Sequence, residues 1–275
     1  MGPALEALLT CHEPERYRSR DPVAFVHRYR DPRDQELVGL VASSLAYGRV
    51  QSIQDSVARV LARLGPQPSQ VAHAVTEETF RGIQHRWTTP ADLAALVYGA
   101  GVVASAWGSL GAAFAAFFDR HRRLRAALGD FARALYAVDF RPVWGRRAPP
   151  PGLRYLLPDA QGPGAAKRLN MYLRWMVRRP DGVDLGLWPL PGPEALVVPL
   201  DTHTVRFWRY LGLTTRRQPS WAAAEEITWH LAALCPEDPV RYDFALAHLG
   251  ISGRCRHRRI PSVCGACPLG AVCRL

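Results

Sequence analysis

Apolar residues recur at every third or fourth position along almost the whole of this chain, a period that suits helices and no other regular element. In DQELVGLVASSLAYGRVQSIQDSVARVLARLG, Leu37, Leu40, Val41, Ser44 and Leu45, then Ile53, Val57, Val60, Leu61 and Leu64, keep helical spacing up to a stop at Gly65-Pro66. PADLAALVYGAGVVASAW and LGAAFAAFFDRHRRLRAALGDFARALYAV continue the pattern, the latter with an arginine-rich face. WGRRAPPPGLRYLLPDAQGPG reads as a connector, after which AAKRLNMYLRWMVRR resumes as a helix. THTVRFWRYLGL, stopped at Gly212, and SWAAAEEITWHLAALC, with Ser220 as its N-cap, follow. Strand signals are scarce and there is no internal repeat, so the expected fold class is all-α.

Residues 93–118, LAALVYGAGVVASAWGSLGAAFAAFF, carry no charge and are long enough to cross a bilayer. They also hold Gly99, Gly101, Gly108 and Gly111, and WGSLG reads as a break with Ser109 placed to cap a second helix. Two buried helices of a water-soluble bundle fit this better, and no membrane contact is expected. With 48% hydrophobic and 21% charged residues in 275, the chain is globular and long enough for one large domain or two modest ones. Its opening, MGPALEALLTCHEPERYRSRD, lacks the basic start and apolar run of a signal peptide. The expected location is the reducing cytoplasm.

Four of the six cysteines, Cys255, Cys264, Cys267 and Cys273, crowd the tail CRHRRIPSVCGACPLGAVCRL. Clustering at one end favours ligation over disulfides. Four thiolates on a short loop suit a [4Fe–4S] cube or a tetrahedral Zn²⁺. The compact Cys-x2-Cys-x5-Cys end, with Gly265, Pro268 and Gly270 to let the backbone wrap something bulky, points to the cube. Only one Cys-x2-Cys pair is present, against the two common at zinc sites, although His257 keeps zinc open as the alternative. Cys11 and Cys235 read as ordinary thiols. A bound group would replace the hydrophobic core that so short a tail cannot build.

The formal net charge of +11 calls for a polyanionic partner, of which nucleic acid is the commonest. Arg254, Arg256, Arg258 and Arg259 crowd the cysteine loop and would present a rigid phosphate-binding surface. Of the 35 basic residues a single one, Lys167, is lysine. Arginine serves wherever charge alone is needed, but its guanidinium does not lose its proton, so only lysine can offer a neutral amine to carbon. That makes Lys167 a candidate nucleophile. It follows GPGAA at a helix start, where backbone N–H groups can grip phosphate. Asp201, in VPLDTHTVRFWRYLGL, is the matching acid, able both to cap a helix and to stabilise positive charge developing on a sugar.

These residues resemble the helix–hairpin–helix DNA glycosylase superfamily, in its endonuclease III-like branch. PLDTHTVRFWRYLGL is similar to that superfamily's VDTH…R…RLGL segment, and the cysteine tail to its iron–sulfur loop. GPGAAKRLNMYLRWM looks like the hairpin glycines, here Gly162 and Gly164, followed by the catalytic lysine, here Lys167. Its helix is also similar to the K-T-x-x-F-x-x-K-M string of archaeal-type 8-oxoguanine glycosylases. LVASSLAYGRVQSI resembles the early helix LLSAQTTD, and KRLNMYLRWMVR with PLDTH also resembles an uncharacterised bacterial family. The likeness is good over residues 37–60 and 160–275. It departs in an extra residue between glycine and lysine, a longer first cysteine gap, and the missing wedge glutamine.

The resemblance implies a two-subdomain fold with a C-terminal cluster loop over 255–273. Residues 36–180 would form a helical barrel subdomain with a hairpin-like motif; residues 1–35 and 181–275 would form the second subdomain. It implies a monomeric bifunctional DNA glycosylase/AP lyase that flips a damaged, oxidised base out of double-stranded DNA. Lys167 and Asp201 would be catalytic, and Cys255, Cys264, Cys267 and Cys273 would hold the cluster. Tyr47, Arg49, Gln51, His203, Arg256 and Arg258 would touch DNA or base, with Trp208 a further candidate for the pocket. For Tyr47, Arg49, Gln51, His203 and Trp208, plain packing is the competing role. A glycosylase without lyase activity and a non-enzymatic nucleic-acid-binding protein are the alternatives.

Overall fold

Prolines and short polar side chains start most of the helices. Asp31 accepts from the Arg33 N–H ahead of the Pro32–Ser44 helix, Thr89 and Asp92 exchange side-chain and backbone bonds ahead of Pro90–Trp107, and Ser109 and Ser220 cap Leu110–His121 and Trp221–Ala232. These devices satisfy N–H groups that have no partner within the helix. The computed structural model describes residues 1–275 and holds sixteen α-helices with no strand. The chain is therefore all-α, and the caps at Ser109 and Ser220 lie where the sequence places them.

Three stretches differ from the sequence reading. The apolar run over 37–64 is two helices, Pro32–Ser44 and Val50–Leu64, parted by a turn at Gly48 with φ of +103°. The run over 110–138 is broken at Arg122, left-handed at φ +51°, into Leu110–His121 and Leu124–Tyr136. The connector is not irregular throughout, since it contains the short helices Arg141–Trp144 and Pro151–Leu156.

The Pro90–Trp107 helix is long and apolar enough to cross a membrane, yet 61% of its most apolar window is buried inside the protein. Its glycines explain how neighbours come so close. A Cβ on Gly101 would stand 2.8 Å from that of Ala72, and one on Gly99 would press on the Leu135 carbonyl. The continuous core runs from Leu5 to Leu269 and includes Trp175, Trp208 and Trp221.

Two buried polar devices cross that core. Glu36 accepts from the Leu110 and Gly111 N–H groups at 2.9 and 3.1 Å and from Trp188 Nε1 at 2.7 Å, so one carboxylate joins three segments. On the Lys167–Val177 helix, buried Arg174 pairs with Asp184 at 3.3 Å and with Asp243 at 2.6 Å. One turn on, Arg178 binds Asp181, Asp184 and Asp238. The lysine-bearing helix is thereby bolted to the Asp243–Ile251 helix. Removing one member of such a network strands the charges left behind. Arg174→Leu is expected to cost about 3–5 kcal/mol in urea unfolding; a loss below about 1 kcal/mol would show the network to be incidental.

Candidate functional site

Lys167 is the first residue of its helix, entered through Ala166 in the left-handed region at φ +45°. The loop before it is held from outside. Arg125 donates from Nε to the Ala160 carbonyl at 2.8 Å and from Nη2 to the Gly162 carbonyl at 2.9 Å. Gly162 N–H donates to the Asp159 carbonyl, and Gly164 lies at the surface with open space beside it. The residue that needs the unusual backbone conformation is thus Ala166, not either glycine.

The structure brings the lone lysine and its expected acid together. Lys167 Nζ stands 3.9 Å from Asp201 Oδ2, with the side chains 27% and 36% exposed. Asp201 divides its two oxygens between two tasks. Oδ1 accepts from the His203 and Thr204 N–H groups, each at 2.8 Å, while the Asp201 N–H donates to Thr204 Oγ1 at 2.9 Å. This reciprocal cap sits ahead of the Thr204–Tyr210 helix and leaves Oδ2 facing the amine. Burial pushes the Asp201 carboxyl up, but the Lys167 ammonium and the two backbone donors outweigh it and hold it below the usual carboxylate range.

A third group stands behind this pair. Asp243 is buried, its Oδ2 bound to Arg174, while its Oδ1 has no hydrogen-bond partner. Burial pushes this carboxyl up against the pull of Arg174 and Lys167, and the Asp201 charge adds to the rise. The sequence reading missed Asp243. Its signal was the single acid in the mostly apolar run YDFALAHLG.

The other expected residues divide. Tyr47 is half-buried, its hydroxyl 3.0 Å from the His85 carbonyl and 2.5 Å from Thr88 Oγ1. Arg49 is exposed at the head of the Val50–Leu64 helix, and Gln51 spends its amide on Asp55 of that same helix at 2.8 Å. His203 is exposed beside Asp201, whereas Trp208 is fully buried and packs in the core. Arg256 and Arg258 are exposed on the tail.

The tail docks on the helix that Asp201 introduces. Arg274 N–H donates to the Tyr210 carbonyl at 2.7 Å, and the His257 ring lies 4.9 Å from that of Phe207. The His257 imidazole packs there with its Nδ1 buried and without a hydrogen-bond partner. Burial pushes the Cys255 thiol up, and the neighbouring Cys273, Cys267 and Cys264 add to the rise. Ile260 N–H donates to Cys264 Sγ at 3.3 Å, and a Cβ on Gly270 would collide with the Cys264 carbonyl. No three His, Cys, Asp or Glu side chains converge as the ligands of one metal ion would. Cys235 is buried, and Cys11 is exposed on a cleft that Cys267 also lines.

Asp201→Asn keeps an oxygen for the cap and removes the charge. A carboxyl depressed in the folded state contributes stability above its unfolded pKa of about 3.9 and loses it as pH falls through the folded value. The wild type is therefore expected to unfold later than Asp201→Asn at pH 7. That lead should shrink steadily as the pH is lowered below about 4. A lead unchanged between pH 7 and pH 3 would exclude the ionised pair as its source.

Comparison with known proteins adds one finding. No curated protein and no solved structure matches the chain. The family described as "Protein of unknown function (DUF2400)" matches residues 21–252. That match spans most of the chain, including Lys167, Asp201 and Asp243, and the protein belongs to this family of unknown function.

Proposed function

We propose that this protein is a DNA glycosylase with associated AP lyase activity, acting on an oxidised base in duplex DNA. The observation that carries the reading is the 3.9 Å approach of the only lysine to Asp201, at a place solvent can reach. An amine beside an ionised carboxylate is the minimal equipment for displacing a base from a sugar. Lys167 Nζ would form a bond to C1′ of an extruded nucleotide as the glycosidic bond breaks and the base leaves with the bonding electrons. Asp201 Oδ2 would stabilise the positive charge that develops on the sugar and accept the proton that the amine loses. Ring opening then gives an imine between lysine and sugar. Loss of the proton at C2′ lets the 3′ phosphate depart, cutting the strand.

Two features support the surroundings such chemistry needs. The stapled loop between the Pro151–Leu156 and Lys167–Val177 helices carries Gly162 and Gly164 ahead of the lysine, as the hairpin of the helix–hairpin–helix fold would. Arg49, Arg256 and Arg258 are exposed and supply positive charge suited to phosphate.

The four tail cysteines would hold a [4Fe–4S] cluster, whose contribution is to fold and stiffen the loop. The single Cys-x2-Cys pair and the compact Cys-x2-Cys-x5-Cys end favour the cube over a zinc ion. Protein purified without oxygen should carry about four irons and matching sulfide per chain; zinc in their place would replace the cluster in this reading.

Borohydride reduction tests the chemistry. The wild type should be trapped covalently on DNA holding an abasic site, and Lys167→Gln should lose that adduct by at least about a hundredfold. An equal adduct from Lys167→Gln would remove the imine. Asp201-dependent base release with no adduct would make the enzyme a glycosylase alone, and no base release from 8-oxoguanine or oxidised-pyrimidine duplexes would leave a DNA-binding protein.

A further inference from the structure

Beside the head of the lysine helix, three aromatic rings from three separate segments meet at the surface. His85 and Thr88 exchange backbone hydrogen bonds of 3.1 and 2.9 Å, closing a tight turn whose two tip residues are Arg86 and Trp87. Arg86 holds the turn at φ +55°. Trp87 is 51% exposed at that tip, and Tyr155, from the Pro151–Leu156 helix, is 39% exposed. Tyr47 lies between them. Its ring stacks on Trp87 at 5.6 Å and meets Tyr155 edge-on at 5.1 Å, while Trp87 and Tyr155 are also 5.1 Å apart.

Two guanidiniums complete the cluster. Arg86 lies over Trp87 at 4.5 Å, and Arg168, the residue after Lys167, lies over Tyr47 at 5.0 Å and Tyr155 at 4.6 Å. Arg168 is pinned in place, its Nη1 donating to the Ser44 carbonyl at 3.1 Å and its Nη2 to the Tyr155 carbonyl. The turn is rigid, because His85 is clamped by Ser56 Oγ at 2.9 Å and by the Tyr47 carbonyl at 2.9 Å. A lone exposed tryptophan needs no explanation. A preset aromatic tip flanked by cations is different, because it offers a flat face and positive charge together.

We propose that Trp87, backed by Tyr47 and Tyr155, is a stacking platform for one unpaired nucleobase of DNA, with exposed Arg86 taking an adjoining phosphate. An unpaired base has a bare π-face that a paired base spends on its neighbours, and stacking on an aromatic side chain tolerates every base. The inference takes DNA as partner from the reading above but needs no chemistry at Lys167. The unpaired base belongs either to a single strand or to a duplex that has lost its complement.

Fluorescence anisotropy with two strands of equal length and charge tests this. One is oligothymidine; the other is the same backbone with tetrahydrofuran at every position and no bases. The wild type should bind oligothymidine at least about tenfold more tightly. Trp87→Ala should bring the two to parity while leaving affinity for the baseless strand unchanged, and Trp87→Phe should keep most of the preference. A third arm compares a paired duplex with one carrying thymine opposite tetrahydrofuran. Loss of preference there assigns the platform to an orphaned base, and loss confined to oligothymidine assigns it to single strands. Equal binding of both strands by the wild type, or a preference that survives in Trp87→Ala, overturns the proposal. Failure of borohydride trapping alone leaves it standing, whereas no binding to any strand removes both readings.

Discussion

The buried Arg174 bridge between Asp184 and Asp243 sets the spacing on which the rest of the candidate site depends. Lys167 sits two turns up the same helix, so the position of its amine follows from where Arg174 is anchored. Asp243 opens the helix that leads into the cysteine tail, and that tail packs on the helix introduced by Asp201. Amine and acid are therefore located by two arms of one frame. Such a frame is not a cheap source of stability, since burying ions sacrifices hydration that pairing barely returns. What it gives is a fixed distance.

The arginine bias of the chain sharpens the meaning of its one lysine. The buried cations, Arg174 and Arg178, use the planar fork of the guanidinium to meet several carboxylates each. Arg125 staples a loop through backbone carbonyls, and Arg168 lies over tyrosine rings. None of these tasks suits a compact ammonium as well. Lys167 stands where no fork is used, against a single carboxylate oxygen.

Much of this was legible beforehand where a local rule acts alone. Ser109 and Ser220 announce helix starts because a hydroxyl there has one good use, and Gly65 ends a helix at φ +74° as its sequence neighbours imply. The break at Arg122 was not legible, because a left-handed arginine looks like any other on paper and is held there by the packing of the helices it joins. Lys167 stood out by elimination, and Asp201 as an acid at a helix start and then through its resemblance. Asp243 was not, since its role comes from Arg174, sixty-nine residues away. The Trp87 turn escaped too, because HRWTT has no period and its partners come from distant segments.

A chain with a single partly exposed ε-amine has one address for any reagent that seeks such a group. Acylating probes and sugars with free aldehydes would all compete for Lys167 within the folded molecule. A protease that cleaves only after lysine would divide the chain at one bond, just where the helix bolted by Arg174 begins. The composition that frees every arginine from nucleophilic chemistry also leaves this protein with no second lysine to absorb damage in its place.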